Sequence, residues 1–405
     1  MKILYVTNQI PFPPDNGVRI PTYHAMRLMS DSGHQLAINV LTEEVDDLQA
    51  RFNQLKKICA KEFSWFMPLI KRNAWEVLCS GLFKNSLFFV ERYRTKVFRE
   101  KLRLTIAQFK PDVIHFDLIP MVQYREIVPK DIRVIASIND SYALTLQNEL
   151  MAGRYRGWHK LYRQLQFYQV CRYEAKHYPD FNFVHTMTNI DADFLHRLNP
   201  DINVFAIPNG VDPTLENITH ETYGENEVVF VANLVAENLI YLRDLLITTW
   251  PKVLKTCPDA KLRIVGKLGE DALAIKSQFS NLPGVLFTGY VDCLAEAYRG
   301  CGIAVVPVNK NCGIINKAIE AMAAGLAVIG FHKTFAGISQ AENNKHFISV
   351  DAYETMADGI VKLYLDTDLR KQIQFAAHEM AIKYYSWDSR QQQYDLMYSG
   401  INIQS

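Results

Sequence analysis

The sequence predicts an α/β protein made of two doubly wound parallel sheets. Its 405 residues are 49% hydrophobic and 21% charged, which provides enough apolar surface for two or three domains. Short β-branched and aliphatic runs alternate along the chain with longer stretches of helical periodicity, and a turn-forming segment interrupts this pattern near the middle. Apolar strands that alternate with helices form parallel sheets covered on both faces, because parallel neighbours need a crossover helix.

Twelve strands are predicted along the chain, with helices between them. Those of the first half are Lys2 to Thr7, Gln35 to Leu41, Val113 to Phe116, Arg133 to Ser137, Phe183 to Thr186 and Val204 to Ile207. Those of the second half are Glu227 to Val231, Lys261 to Val265, Val285 to Thr288, Ile303 to Val306, Ala327 to Ile329 and His346 to Val350. The two prolines and the Asn-Gly pair of Ile207 to Pro213 predict a domain boundary there. Doubly wound sheets bind ligands at the carboxyl ends of their strands, so two facing sheets predict one deep cleft.

Charge and cysteine content exclude several classes of protein. The net charge is only +1, which is too small for a protein that coats nucleic acid. Residues 1–205 nevertheless carry 27 basic and 21 acidic side chains, and the remainder carries 17 and 22. The seven cysteines include no Cys-x-x-Cys pair, which argues against a disulfide framework or a metal site and favours the cytoplasm. Neither a signal peptide nor a membrane-spanning run of about 18 apolar residues is expected.

The loop after the first strand is the first candidate site. Three prolines stiffen it, and Asn16 and Gly17 place backbone amides before a helix, where the helix dipole favours an anion. A tight turn is the alternative interpretation. The chain contains neither a Gly-x-Gly-x-x-Gly fingerprint nor a P-loop.

The second candidate site begins at Gly313, after the apolar strand that starts at Ile303. Lys317 and Glu320 lie three residues apart and share a face of the helix that follows. The lysine could contact a diphosphate, and the carboxylate could accept hydrogen bonds from ribose hydroxyls. An ordinary solvated Lys–Glu pair is the alternative.

Five segments in order resemble the GT-B glycosyltransferases of the family 4 type. They are the opening KILYVTNQIPFPPDNGVR, the join Pro208-Asn209-Gly210-Val211-Asp212, the segment Pro258 to Gly266, the segment Phe287 to Val291, and GIINKAIEAMAAG. The resemblance implies two facing doubly wound Rossmann-like domains, with a C-terminal helix near Tyr385-Ser386-Trp387 crossing back to the N-domain. The N-domain would comprise 1–207 with 385–405, and the C-domain 208–384.

The resemblance also implies a retaining transfer of a sugar. The donor, a nucleotide diphosphate sugar held by the C-domain, is expected first to be a UDP-sugar. The acceptor, a glycan, a lipid-linked molecule or a small molecule, would be held by the N-domain. Neither a metal nor another cofactor is expected, because protein groups would stabilise the leaving diphosphate. Polysaccharide biosynthesis is the process that this activity suggests.

The resemblance implies roles for individual residues at the matching positions. Gly17 would donate its amide to the diphosphate, Glu320 would bind the ribose, and Tyr290 would lie near the nucleobase. The whole donor set is Asn16, Gly17, Asn233, Asn238, Tyr290, Val291, Gly313, Ile314, Asn316, Lys317 and Glu320. The catalytic candidates near the acceptor are His115, Asn139 and Asp140.

The chain departs from the family pattern at four places. Asn233 and Asn238 replace the usual phosphate-binding arginine and lysine, and Cys312 replaces the first glutamate of the E-x7-E pair. Asn139 stands where many members have a histidine. Two interpretations remain open. The protein is an active transferase that relies on Lys317, or it is a sugar-nucleotide-binding or partner protein without catalysis. An epimerase or hydrolase on the same fold is a further alternative.

Basic and aromatic residues cluster in the first half. Residues 69–103 carry nine basic and three acidic side chains interleaved with aromatic ones, and a second cluster runs from Arg154 to Arg163. Such clusters suit an anionic membrane surface and a lipid-linked acceptor, with the protein peripheral at the inner face. A solvated helix face with its aromatic residues in the core is the alternative, and nucleic acid is not expected.

Overall fold

The computed structural model describes residues 1–14, 17–44, 47–69, 87–151, 153, 155–216, 227–309 and 314–401. The chain divides into two compact units, Met1–Asn209 with Arg390–Ser405, and Gly210–Ser389. Each unit contains one parallel sheet packed against helices. The predicted α/β fold class is therefore confirmed.

The first unit contains a seven-stranded sheet. Its strands are β1 (Lys2–Thr7), β2 (Gln35–Thr42), β3 (Trp65–Pro68), β4 (Val113–Asp117), β5 (Arg133–Asn139), β6 (Phe183–Thr186) and β7 (Val204–Ala206). Their order in space is β3-β2-β1-β4-β5-β6-β7, and all neighbours pair in parallel. The winding reverses between β1 and β4, so the carboxyl ends of these strands form the point at which doubly wound sheets bind ligands.

The described helices of the first unit up to β7 connect these strands. They are α1 (Arg19–Asp31), α2 (Leu48–Leu55), α3 (Phe88–Glu91), α4 (Lys96–Phe109), α5 (Ile119–Val122), α6 (Tyr142–Met151), α7 (Gly157–His177) and α8 (Asn189–Leu198). Apolar side chains of β1, β4 and β5 form the core with the inner faces of these helices, chiefly α4.

The second unit contains a six-stranded sheet. Its strands are β8 (Glu227–Val231), β9 (Lys261–Val265), β10 (Val285–Gly289), β11 (Ile303–Val306), β12 (Ala327–Phe331) and β13 (Phe347–Val350). Their order is β10-β9-β8-β11-β12-β13, again all parallel. The winding here reverses between β8 and β11. Two separate apolar clusters share the strands of this sheet, as expected when both faces are covered.

The described helices of the second unit are short before β13 and long after it. They are α9 (Pro213–Glu216), α10 (Glu237–Asp244), α11 (Trp250–Thr256), α12 (Glu270–Gln278), α13 (Leu294–Tyr298), α14 (Asn316–Ala323), α15 (His332–Phe335), α16 (Tyr353–Leu365) and α17 (Thr367–Tyr385). One π-helical turn, Leu245–Thr249, joins α10 to α11.

The last helix, α18 (Gln391–Ser399), belongs to the first unit. The hydroxyl of Tyr398 lies 2.8 Å from that of Tyr5 on β1 and 2.7 Å from Nδ1 of His115 on β4. Arg133 donates a hydrogen bond to the Tyr398 carbonyl. These contacts complete the core of the first unit with a segment that follows the second unit in the sequence.

All twelve predicted strands are present, with ends within two residues of the prediction. The sequence analysis missed β3, which pairs only with β2 at the edge of the sheet. Its four residues include no β-branched side chain and end at Pro68, which lacks a backbone donor and suits an edge position.

Candidate functional site

A cavity of about 670 Å³ lies at the carboxyl ends of β4 and β5 in the first unit. Apolar and aromatic side chains form most of its wall. The described lining residues are Gly17, Val18, Leu87, Phe88, Phe89, Leu118, Ile119, Ile138, Asn139, Asp140, Tyr142, Thr145, Tyr162, Gln166, Gln169 and Tyr178. The structure thus brings three predicted site residues, Gly17, Asn139 and Asp140, to one cavity.

Asn139 presents an unsatisfied amide to this cavity. It ends β5 in the left-handed region, with φ at 62°, and the Asp140 amide closes a tight turn by donating to the Ile138 carbonyl at 2.8 Å. The side-chain oxygen and nitrogen of Asn139 are buried, and they have no hydrogen-bond partner among the described residues. The same is true of the Tyr178 hydroxyl. Buried polar groups normally have partners, so these atoms are suited to bind a ligand.

Asp140 is the one carboxylate among the described residues that line the cavity. Desolvation by the surrounding wall, and then the negative charge of Asp191, raise its pKa above the usual range. A carboxylate with a raised pKa is a better acceptor for the proton of a hydroxyl group. Asp140 can therefore act as a base toward a bound alcohol.

Two buried carboxylates hold the loop that carries Asn139 and Asp140. Glu174 on α7 accepts hydrogen bonds from the Ser141 hydroxyl at 2.9 Å and from the Tyr142 amide at 3.0 Å. Asp191 accepts one from the Ser141 amide at 2.9 Å. Burial raises the pKa of Glu174 to about 7, although these bonds act against that shift. No local pattern in the sequence indicated either contact.

Asp117 at the end of β4 is a further buried carboxylate that the sequence analysis missed. It accepts hydrogen bonds from the hydroxyls of Thr7, at 2.8 Å, and Thr22, at 2.9 Å. Burial raises its pKa to about 7. The bonds join β1, β4 and α1 at the point where the winding reverses, and the next residue, Leu118, lines the cavity. An acidic residue directly after an apolar strand was the available signal.

His115 lies elsewhere in the first unit. It is at the centre of β4, is 1% exposed and contacts Tyr398 on α18. Burial lowers its pKa to about 3, so the ring is neutral. His115 does not line the cavity, and its contacts are those of a core histidine.

A hydrogen-bonded series of polar side chains lies at the point where the winding of the second sheet reverses. The Lys317 ammonium, in the first turn of α14, donates to Oδ1 of Asn238 at 2.9 Å. The Asn238 amide nitrogen in turn donates to the backbone carbonyl of Asn233 at 2.8 Å. Asn233 follows β8, and α14 follows β11, so three predicted donor-binding residues meet at the predicted edge of the sheet.

A glycine lets the neighbouring strand pass close to this edge. A Cβ at Gly266, directly after β9, would lie 2.0 Å from the carbonyl oxygen of Ala232. A larger residue at 266 would therefore displace the backbone beside Asn233.

Glu320 lies one helical turn beyond Lys317. Burial, and then the negative charge of Asp212, raise its pKa to about 7, while the charge of Lys317 opposes this shift. The N-cap residue of α14, Ile315, has no side-chain acceptor, and the N-terminal end of the helix dipole adds positive potential beside the lysine. The second unit thus presents a cation next to a half-buried carboxyl group.

The other predicted donor residues have varied positions. Tyr290 follows β10 at the same sheet edge and is 70% exposed, and Val291 packs against an apolar cluster. Ile314 packs against that cluster too, and Asn316 is exposed at the start of α14. The predicted residues Asn16 and Gly313, together with Cys312, lie outside the described residues.

The residues at the end of β11 are held by Thr334, which the sequence analysis did not identify. Its buried hydroxyl lies 2.9 Å from the carbonyl oxygens of Val306 and Val308, at the end of β11. In the described part of the chain, no cluster of three or more His, Cys, Asp or Glu residues is arranged to hold a metal ion. Within the same residues, every helix is too short or too polar to cross a membrane.

Comparison with known proteins gives one family and many similar structures. Residues 225–366 match the family of glycosyl transferases group 1. A glycosyltransferase from Rickettsia africae is similar over 100% of this chain and 99% of its own, with 15% identity and a TM-score of 0.64. Anabaena HepE, determined with UDP and glucose, is similar over 99% of this chain and 100% of its own, with 13% identity and a TM-score of 0.63.

The pneumococcal O-GlcNAc transferase GtfA, determined with UDP and GlcNAc, is similar over 98% of both chains, with 12% identity and a TM-score of 0.64. No curated protein sequence matches the chain. At these identities the structural similarity shows the fold alone, and that fold is the one shared by these glycosyltransferases. The match of residues 225–366 to glycosyl transferases group 1 supports a glycosyltransferase activity.

Proposed function

We propose that the protein transfers a sugar, with retention of anomeric configuration, from a nucleoside diphosphate sugar to a hydroxyl group of an acceptor. The second unit binds the donor, and the cavity of the first unit binds the acceptor. The hydrogen-bonded chain from Lys317 through Asn238 to Asn233 carries the proposal, because it places a cation where a doubly wound sheet binds phosphate.

The two asparagines are compatible with diphosphate binding. A lysine at position 238 would place a second ammonium beside that of Lys317, and the two would repel each other. Asn238 instead supplies an acceptor that orients the Lys317 ammonium. One oriented lysine and the positive end of the α14 helix dipole then provide the positive potential that the leaving diphosphate requires.

Glu320 is suited to the ribose of the donor. As a carboxylate it accepts hydrogen bonds from two vicinal hydroxyls, and its place one turn after Lys317 sets ribose and diphosphate side by side. UDP is the nucleotide we propose, since HepE and GtfA were determined with UDP.

The acceptor site combines an apolar wall with a few polar groups. The Asn139 amide and the Tyr178 hydroxyl can orient an acceptor hydroxyl, and Asp140 can accept its proton as the new bond forms. The aromatic residues of the wall suit an acceptor that includes an apolar part or the flat face of a sugar ring.

Replacement of Lys317 tests the donor site. Lys317→Gln removes a charge-assisted hydrogen bond of about 1.5 to 3 kcal/mol, so UDP should bind roughly ten- to a hundredfold more weakly. Isothermal titration with UDP measures this change, and thermal unfolding with UDP should show a smaller stabilisation than in wild type. Lys276→Gln, an exposed position at the far end of α12, should leave UDP binding unchanged.

Two results would contradict the proposal. If UDP, GDP, ADP and dTDP all fail to stabilise the wild-type protein, the donor site is wrong. If UDP binds equally well to Lys317→Gln, its phosphates are held elsewhere. Binding of UDP-sugars without their consumption, in the presence of candidate acceptors, would instead indicate a sugar-nucleotide-binding protein without transferase activity. The anomeric configuration of any product, read by NMR, tests retention.

A further inference from the structure

The outer face of α7 is apolar and exposed. The exposed fractions are 84% for Trp158, 57% for Leu161, 63% for Tyr162, 55% for Leu165 and 59% for Tyr168. Spacings of three and four residues place these side chains on one side of the helix. The residues that the same helix buries, Val170, Tyr173 and Glu174, all lie in its C-terminal third. The earlier turns of the helix therefore carry an apolar stripe that the fold of the unit does not bury.

The same segment is strongly basic. Between Glu149 and Glu174 the sequence contains no acidic residue, and it contains Arg154, Arg156, Lys160, Arg163 and Arg172. The guanidinium of Arg172 lies 5.8 Å from the ring centre of Tyr168, beside the apolar stripe. Arg172 thus lies beside the apolar stripe, whereas Lys160 and Arg163, two and five residues after Trp158, lie off the stripe on the same helix.

The basic residues of α4 have a different environment. Arg99 forms an ion pair with Glu126 at 3.0 Å, Arg103 forms one with Glu100 at 3.0 Å, and Lys101 lies over the Trp65 ring. The described part of the basic stretch 69–103 is therefore largely neutralised by its own neighbours, as the solvated-face alternative predicts. Along α7 the nearest acidic residues in the sequence lie at or beyond the ends of the segment, and Glu174 there is buried.

The position of α7 links this surface to the cavity. Tyr162, Gln166 and Gln169 of the helix line the cavity that also contains Asn139 and Asp140. The 21 residues of α7 extend over about 30 Å. A flat partner in contact with the outer face would thus lie along one wall of the acceptor site.

We propose that the first unit docks on an anionic lipid surface through the outer face of α7. Exposed Trp and Tyr suit the headgroup region, and a sequence with five basic and no acidic residues between Glu149 and Glu174 complements anionic lipids. A symmetric contact with a second copy would oppose two surfaces of the same positive charge. The consequence that the acceptor is carried by a lipid rests on the proposed function, whereas the docking itself does not.

Vesicle sedimentation of the full-length protein tests the docking. The protein should bind phosphatidylcholine vesicles that contain phosphatidylglycerol, bind pure phosphatidylcholine weakly, and dissociate as salt is raised. Trp158→Glu combined with Leu165→Glu should lower the partition coefficient by about tenfold or more. Leu273→Glu, at an apolar position on α12 that is 50% exposed, is the matched control and should bind as wild type does.

Fluorescence gives a second measurement that depends on Trp158. Its emission should shift to shorter wavelength when phosphatidylglycerol vesicles are added. Trp158→Phe should retain most of the vesicle binding and lose most of this shift. Circular dichroism and UDP titration on each variant show whether the fold and the donor site are intact, so that failure of docking and failure of the proposed function are distinguished.

The docking is overturned if wild-type protein does not bind phosphatidylglycerol vesicles at low salt. It is overturned also if the double variant binds them as well as wild type does. Dimerisation in analytical ultracentrifugation that the double variant abolishes, without vesicle binding, would assign the surface to a second copy of the chain.

Discussion

At the scale of single residues, a substitution of Asp140 tests the acceptor chemistry without changing donor binding. If Asp140 accepts the acceptor proton, Asp140→Asn should lower the rate of sugar transfer by about 10²- to 10⁴-fold. The affinity for UDP should not change, because the proposed donor residues belong to the second unit and Asp140 belongs to the first. A coupled assay for UDP release measures the transfer, and calorimetry measures UDP binding.

The control for Asp140 is Asp193→Asn, an exposed position on α8 that does not line the cavity. It should retain wild-type transfer. The raised pKa of Asp140 adds a second signature, since the transfer rate should rise with pH as this carboxyl ionises. A variant Asp140→Asn with an unchanged rate and an unchanged pH profile would exclude the carboxylate from the reaction.

At the scale of elements, α7 orders the start of α6 through Glu174. This carboxylate accepts bonds from the Ser141 hydroxyl and from two backbone amides, those of Tyr142 and Ala143. Glu174→Gln keeps the size of the side chain but removes one acceptor and the negative charge at the helix N-terminus. We expect a loss of about 1 to 3 kcal/mol in the free energy of unfolding.

Hydrogen–deuterium exchange locates this effect. Amides at the start of α6 should exchange faster in Glu174→Gln than in wild type, and those of the second unit should not change. Glu379→Gln, at an exposed position on α17, serves as the control. Unchanged exchange at the start of α6 would show that Asp191 alone orders the loop beside Asn139.

At the scale of the whole molecule, the stability of the fold depends on pH through two sets of buried titratable groups that act in opposite directions. Burial raises the pKa to about 7 in three carboxyl groups, those of Asp117, Glu174 and Glu320. Burial lowers the pKa to about 3 or 4 in three histidines, His24, His115 and His185. The free energy of unfolding that the carboxyl groups contribute is lost as pH rises from about 4 through 7. The contribution of the histidines is lost as pH falls below 6.5.

The two effects oppose each other until the histidines are neutral in both the folded and the unfolded state, which is nearly the case above about pH 7.5. Between pH 6.5 and 8 the three carboxyl groups cost about 2.4 kcal/mol as they ionise, and the three histidines restore about 1.2 kcal/mol. We therefore expect the summed free energy of unfolding to fall by about 1 kcal/mol over this range. Urea unfolding across this range measures the change. Glu320→Gln should reduce the fall by more than half, and stability that rises toward pH 8 would refute the assignment.

The predictable part of the structure is the part encoded by local patterns. Apolar runs located twelve strands, and strand order placed Asn139 and Asp140 at a carboxyl edge. The spacing of Lys317 and Glu320 in GIINKAIEAMAAG likewise placed both on α14. The remaining features depend on contacts between distant residues. His115 looked available until α18 covered it, and Glu174 showed no local sign that it would bind the loop after β5.

The position of α18 also affects how the protein forms on the ribosome. Tyr398 reaches Tyr5 and His115 only after the whole of Gly210–Ser389 has been translated. Until then, the nascent first unit exposes the aromatic surface of β1 and β4 that α18 later covers. Synthesis of the second unit therefore takes place while the core of the first is unfinished.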